Sequence, residues 1–294
     1  MIKNKNSYEF INSSGGLATG MNSIHSKNDT LWIGWPGIAS DNLNKKTKGE
    51  LNKFLDKKNF KPVHLNKKEI KDFYYGLSNK SLWPLFHYFI EYSIFDKDNW
   101  DSYKTVNNKF AQCIIENYNE GDLIWIHDYQ LMLCPKIVRD LIPNSIIGFF
   151  LHIPFPSFEI FRIFPWRKEL LSGILGSDLV GFHTYNYQRH FLSSVKRILL
   201  KNVKLNRVSV GSRKILVNTF PMGIDFEKFN NAAKKYLTKN ALQKSQSSVK
   251  NILTIDRLDY TKGVVQRIKA FEMFLDNYPQ YIEKVKLIML TVPS

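Results

Sequence analysis

Acidic residues are scarce in this 294-residue chain: 26 Asp and Glu stand against 42 Lys and Arg, a formal charge of +16 at pH 7. Cysteine is scarcer still, at two. Cys113 and Cys134 form no CxxC pair and no metal spacing, which excludes a disulfide-stapled miniprotein; they read as buried free thiols in a reducing compartment. No stretch reaches the roughly 18 apolar residues of a membrane helix. The longest apolar run, 146–155, is cut by His152 and Pro154. The opening MIKNKNSYEF lacks the hydrophobic core of a secretory signal. These absences predict a soluble protein of the cytoplasm with no membrane contact. HExxH, GxSxG and the P-loop pattern are missing too, as is any paired His/Cys ligand set. Metal hydrolase, serine hydrolase and P-loop kinase readings therefore lack support.

What is present is ordinary globular composition: 44% hydrophobic and 23% charged residues exclude a disordered chain and a collagen. The length suits one large domain or two of middling size. The basic excess is mostly Lys, in runs such as Lys45-Lys46-Thr47-Lys48, Lys57-Lys58 and Lys67-Lys68. Such runs are either a solvated face or a field that draws in anions such as nucleotide sugars and sugar phosphates. They carry few aromatics and little Arg, so no nucleic-acid partner is expected.

Short apolar segments alternate with amphipathic ones. Strands are expected at 31–35, 123–127, 145–152, 179–183, 215–220, 251–255 and 286–291. Their runs are near-continuously apolar, which suits a parallel sheet buried on both faces. Helices are expected at 16–24, 100–118, 131–141, 166–175, 186–200 and 263–277. In the last, Val264, Ile268, Phe271 and Phe274 share a stripe. This order predicts an α/β fold with ligands at the carboxyl ends of the strands. The polar stretch 230–250 is expected to link a domain at 1–229 to a strand–helix–strand unit at 251–294, too short to bury a core of its own.

Four segments carry candidate chemistry. Gly15 and Gly16 precede an expected helix, where the backbone can approach a phosphate or sugar oxygen; a plain turn is the alternative. Asp128 follows an apolar strand, either as an acceptor for sugar hydroxyls or as the N-cap of the next helix. His152 ends another apolar strand before Pro154 and Pro156, either as a satisfied core residue or at a ligand edge. Arg257 and Lys262 follow the strand at 251–255 and open a helix. Two cations at a helix N-terminus suit a diphosphate, and neutralising its developing charge helps a nucleotide leave a sugar. The alternative is a structural pairing of Arg257 with Asp256 or Asp259.

Seven collinear strings make the pattern specific: SSGGL, WIGWPG, FYYGLSNKSLWPLFHY, IWIHDYQLMLCP, IGFFLHIPFPSFEIFR, LLSGILGSDLVGFHTYNYQRHFLSS and DRLDYTKGV. Together they resemble the trehalose-6-phosphate synthase family over most of residues 11–294. The resemblance implies a GT-B glycosyltransferase, with two Rossmann-like domains facing across a cleft. It implies transfer of glucose from UDP-glucose to glucose-6-phosphate, with retention, release of UDP, no metal and no other cofactor. A homo-oligomer or a place in a trehalose synthase complex also falls within its scope.

The resemblance further implies roles. Gly15 and Gly16 match the loop that touches the donor. Tyr74 and Trp83 match acceptor-side aromatics, Tyr74 on the acceptor phosphate. Asp128 matches the carboxylate on acceptor hydroxyls, and His152 the residue orienting the donor sugar. Arg257 and Lys262 match the cationic pair on the donor diphosphate. The departures are Gln130, where the family reads HDYH, and Phe158, where it has a small residue. Residues 1–14 contain no Arg, although the family uses one there for the acceptor phosphate. The second acceptor-phosphate Arg and the acidic residues of the donor domain follow the VPS motif in the family, beyond Ser294. The chain is therefore expected to be part of a longer synthase and to have little activity alone. A regulatory, non-catalytic synthase-like subunit, or a synthase with another donor or acceptor, are the competing expectations.

Overall fold

A computed structural model describes residues 2–4, 7–9, 21, 30–239 and 249–293. The chain forms two compact units, Met1–Gly223 and Ile224–Ser294. In the first, β1 (Ile2–Asn4) and β2 (Ser7–Glu9) pair antiparallel, and β3 (Trp32–Gly34) pairs in parallel with β4 (Phe60–Pro62). The main sheet has six strands: β5 (Leu123–His127), β6 (Ile146–Leu151), β7 (Leu179–Phe182), β8 (Val203–Lys204), β9 (Arg207–Val210) and β10 (Arg213–Thr219). They lie in the order β5-β6-β7-β10-β9-β8. The first four neighbours run parallel, as their apolar runs predict; β9 and β8 add an antiparallel edge that the sequence reading lacks.

Helices link the parallel strands and cover the sheet. Between β5 and β6 lies Cys134–Leu141; between β6 and β7 lie Phe158–Phe161 and Arg167–Ile174; after β7 comes Tyr185–Ile198. Because β5, β6, β7 and β10 run the same way, their carboxyl ends share one edge of the sheet. The core there is aromatic: Phe86, Phe155, Phe161, Phe182 and Phe191 are fully buried and meet mostly edge to face. This geometry adds to their area burial. Gly181 in β7 belongs to that packing, since a Cβ there would lie 2.6 Å from the Phe150 ring.

The long helix Lys97–Asn117 begins at Asp96, whose side chain accepts the Asn99 N–H, a cap worth about 1 kcal/mol. Trp100, Tyr103, Asn107 and Phe110 recur at three and four residues, and all are buried. Residues Ile70–Leu82 form a π-helix, where no helix was expected. Its buried residues include Phe73, Leu77 and Leu82, spaced four and five apart, and the Trp83 N–H reaches the Ser78 carbonyl five residues back. Lys45–Asp56 is a further helix absent from the sequence reading.

The second unit pairs β11 (Lys250–Leu258) in parallel with β12 (Val285–Pro293), joined through the helix Val264–Asn277. None of its described residues is buried. Ile268, expected on the helix's apolar stripe, is exposed; Val264, Phe271 and Phe274 are half-buried. With two strands, the unit offers too little surface to cover a full stripe. The stretch 230–250, expected as a linker, holds most of the helix Phe226–Lys239. The expected helix at 16–24 lies outside the described residues, apart from Met21. Among the described residues no helix is long and apolar enough to cross a membrane.

Candidate active site

The carboxyl edge of the main sheet gathers Asp128 and His152. β5 ends at His127, and Asp128 takes a left-handed backbone with φ 72°. Its N–H still donates to the Phe150 carbonyl at 2.7 Å, so the chain leaves the sheet only after this residue. The Asp128 Oδ1 accepts the N–H of Tyr129 at 3.0 Å and that of His152 at 3.2 Å. The helix that follows starts at Cys134, not near Leu131, and Leu133 is its N-cap residue. The N-cap alternative for Asp128 is thereby overturned: the carboxylate ties two strand ends together. Burial pushes its carboxyl up to about 6, with the two N–H bonds pulling the other way.

His152 stands one residue beyond β6, half-buried. Its Nε2 meets the Nδ1 of His127 at 3.0 Å. Phe150 lies against it with ring centroids 4.6 Å apart, and His183, one residue beyond β7, meets it at 5.4 Å. Burial drives the His152 imidazole down to about 3, helped by the nearness of His127 and then His183. His127 is pushed down to about 4 by burial, and His183 is lowered for the same reason. The edge therefore presents neutral imidazoles beside a carboxyl that titrates near neutrality.

Trp83 joins this region through Tyr129. The two rings lie 5.7 Å apart, and the Tyr129 hydroxyl donates to the Asn79 Oδ1 at 3.0 Å. Tyr74 is five residues before Asn79 on the π-helix, against Trp35 at 5.9 Å.

The segment after Asp128 is held from behind by two buried residues. The Tyr103 hydroxyl donates to the Tyr129 carbonyl at 2.7 Å and accepts the Met132 N–H at 3.1 Å. The Asn107 amide donates to the Gln130 carbonyl at 3.0 Å and accepts the N–H groups of Leu133 and Cys134, both at 3.1 Å. Sequence reasoning missed both; the only signal was an Asn four residues after a Tyr on an apolar helix face. It also missed His127 and His183 as partners. Their signal was available: three apolar runs, IWIH, FFLH and VGFH, each end in His.

Arg257 and Lys262 belong to the second unit. Arg257 lies near the end of β11, and Lys262 closes a 3₁₀ turn, Tyr260–Lys262. Gly263 follows with φ 61°, the left-handed turn into the helix Val264–Asn277. Asp256 pairs with Arg267 at 2.8 Å, and Asp259 accepts the N–H and hydroxyl of Thr261 at 2.8 and 2.6 Å. The turn thus sets two cations beside a helix N-terminus, an arrangement suited to phosphate oxygens. Gly15 and Gly16 lie outside the described residues. Among the described residues, no group of three or more His, Cys, Asp or Glu could hold a metal ion.

In a parallel α/β sheet the carboxyl ends of the strands are where ligands bind, and polar groups gather at that edge here. Residues 2–294 match glycosyltransferase family 20, and the chain belongs to that family. It is 45% identical to the UDP-forming alpha,alpha-trehalose-phosphate synthase of Pichia angusta, over 99% of this chain and 62% of that protein. Among solved structures it is similar to the corresponding synthase of Burkholderia vietnamiensis, with a TM-score of 0.83 and 28% identity over 95% of this chain and 60% of that one. It is similar also to the Burkholderia xenovorans synthase in complex with glucose-6-phosphate, with a TM-score of 0.82 and 27% identity over 96% and 63%. These crystal structures carry the expected GT-B fold. The chain spans about three fifths of the length of each of these relatives.

Proposed function

We propose that the full-length protein transfers glucose from UDP-glucose to glucose-6-phosphate with retention, forming trehalose-6-phosphate and UDP. The observation that carries this reading is the bond between the Asp128 carboxylate and the His152 backbone at the sheet's carboxyl edge, in a chain of glycosyltransferase family 20. The Asp128 carboxylate accepts hydroxyls of the acceptor glucose. Tyr74 and Trp83 line the acceptor side, Tyr74 on the phosphate. His152, neutral, bonds a hydroxyl of the donor sugar. Arg257 and Lys262 bind the diphosphate, with Gly15 and Gly16 against the donor.

The acceptor hydroxyl attacks the donor's anomeric carbon on the face that UDP leaves. The new C–O bond forms as the bond to the phosphate oxygen breaks, and the departing phosphate takes the hydroxyl proton. The cationic pair is matched to the charge that grows on that phosphate, the interaction that lowers a barrier most. The reading calls for no metal and no other cofactor, for a soluble cytoplasmic setting, and for a homo-oligomer or a trehalose synthase complex as the assembled form.

Proton NMR of the product made by the full-length protein tests this. An α,α-linked disaccharide phosphate, formed equally well with EDTA present, is the expected result. A β linkage, or no sugar transfer to glucose-6-phosphate, contradicts it.

A further inference from the structure

His127 and Asp128 are consecutive, yet both hold His152. In an extended strand, neighbouring side chains point to opposite faces. The left-handed backbone of Asp128 breaks that alternation. One residue bonds the His152 ring at 3.0 Å and the next bonds its main-chain N–H at 3.2 Å. Trp125, two residues before His127 on the same face, backs the His127 ring at a centroid distance of 4.5 Å. Phe150 and His183 lie against the His152 ring.

Two imidazole nitrogens in one hydrogen bond share one proton between them, so one donates and the other accepts. The bond occupies the Nε2 of His152. Its remaining polar ring atom, Nδ1, is the one left for a ligand. If His127 donates, the ring hydrogen of a neutral His152 is on Nδ1; if His127 accepts, Nδ1 is a bare acceptor. The character of His152 toward a sugar hydroxyl is therefore dictated by its neighbour. The titratable groups around the ring are His127 from β5, His183 just beyond β7, and Asp128; the low proton affinity of all three imidazoles keeps the pair uncharged.

We propose that His127 is a positioning residue, which holds His152 in a single tautomer and ring orientation for the donor sugar. This role rests on the glucosyl-transfer reading; the bond itself does not.

The test uses the full-length protein with ¹⁵N-labelled histidine. The ring-nitrogen signals of His152, assigned by their loss in His152→Gln, should show one protonated and one bare nitrogen. His127→Phe should shift them to the averaged values of a ring exchanging between tautomers. His127→Asn, whose amide reaches the position of Nδ1, should restore the single form. In kinetics, His127→Phe should lower kcat about tenfold, the effect of losing one hydrogen bond, and change the KM for glucose-6-phosphate less than twofold. His127→Asn should recover most of kcat. Averaged tautomer signals in the wild type, or unchanged His152 signals in His127→Phe, would overturn the proposal, and the wild-type spectrum decides even where a variant does not fold. Correct tautomer behaviour in a protein with no sugar transfer would instead remove only the functional reading.

Discussion

Asp128 and His152 sit on adjacent strand ends, and the carboxylate of the first accepts the backbone N–H of the second at 3.2 Å. The bond makes one unit of two groups that the functional reading assigns to different substrates. It also leaves the second carboxylate oxygen available to a ligand's hydroxyls.

That carboxyl titrates near 6 because burial disfavours its charge. With Oδ1 taken by two N–H groups, protonation would fall on the oxygen left for a ligand and turn it from an acceptor of sugar hydroxyls into a donor. Below about pH 6, kcat/KM for glucose-6-phosphate should therefore fall, one decade per pH unit. In Asp128→Asn this acid limb should vanish, with activity roughly 10- to 100-fold lower at pH 7.5, the range for losing charge-assisted bonds. An unchanged acid limb in the variant would remove Asp128 from this role.

Stability should depend on pH through the same edge, with the signs opposed. His127 and His152 have folded values depressed below 6.5, so their contribution is present above pH 6.5 and lost as pH falls toward 4 and 3. Asp128, raised from 3.8 to about 6, acts oppositely: it favours the folded state below pH 4, and that gain is lost as pH rises through 6. Two groups outweigh one. Urea unfolding should show a loss of roughly 1–2 kcal/mol from pH 7 to pH 5, after solvent screening of the half-exposed rings. The double variant His127→Phe, His152→Phe should reverse the slope.

Asn107→Ala should destabilise by about 1–3 kcal/mol in urea melts, because it leaves the buried Leu133 N–H without an acceptor and the Gln130 carbonyl without the Asn107 donor, while the Cys134 N–H keeps the Leu131 carbonyl. The segment from Tyr129 to Cys134 should then exchange its amides faster. A loss below about 0.5 kcal/mol would mean that the clamp is not needed.

Gly181→Ala should cost about 1–3 kcal/mol, since its Cβ would press the Phe150 ring that lies against His152. The expected spectroscopic mark is a shift in the His152 ring signals larger than that of His190, which lies elsewhere and bonds the Phe155 carbonyl.

The parallel strands and their ends were legible because a buried strand reads as an apolar run, and the run stops at His or Asp where the ligand edge begins. Asp128 and His152 were legible for that reason, though the N-cap alternative for Asp128 was settled only by the start of the next helix at Cys134. The π-helix was not legible: a spacing of four and five in FYYGLSNKSL is hidden by its aromatic and polar residues. Tyr103 and Asn107 were not legible either, because their partners are backbone groups some 25 residues away, which carry no side-chain signature. The stripe on helix Val264–Asn277 was read correctly as a pattern, yet Ile268 is exposed because a pattern does not supply the surface that covers it.

Under the proposed function, a cationic turn draws UDP away from glucose as glucose-6-phosphate takes its place. UDP formation from UDP-glucose by the full-length protein tests it most directly. UDP should appear only when glucose-6-phosphate is present, and the rate should fall by about 100-fold or more in Arg257→Ala. UDP release without the acceptor, or an undiminished rate in the variant, would contradict the account.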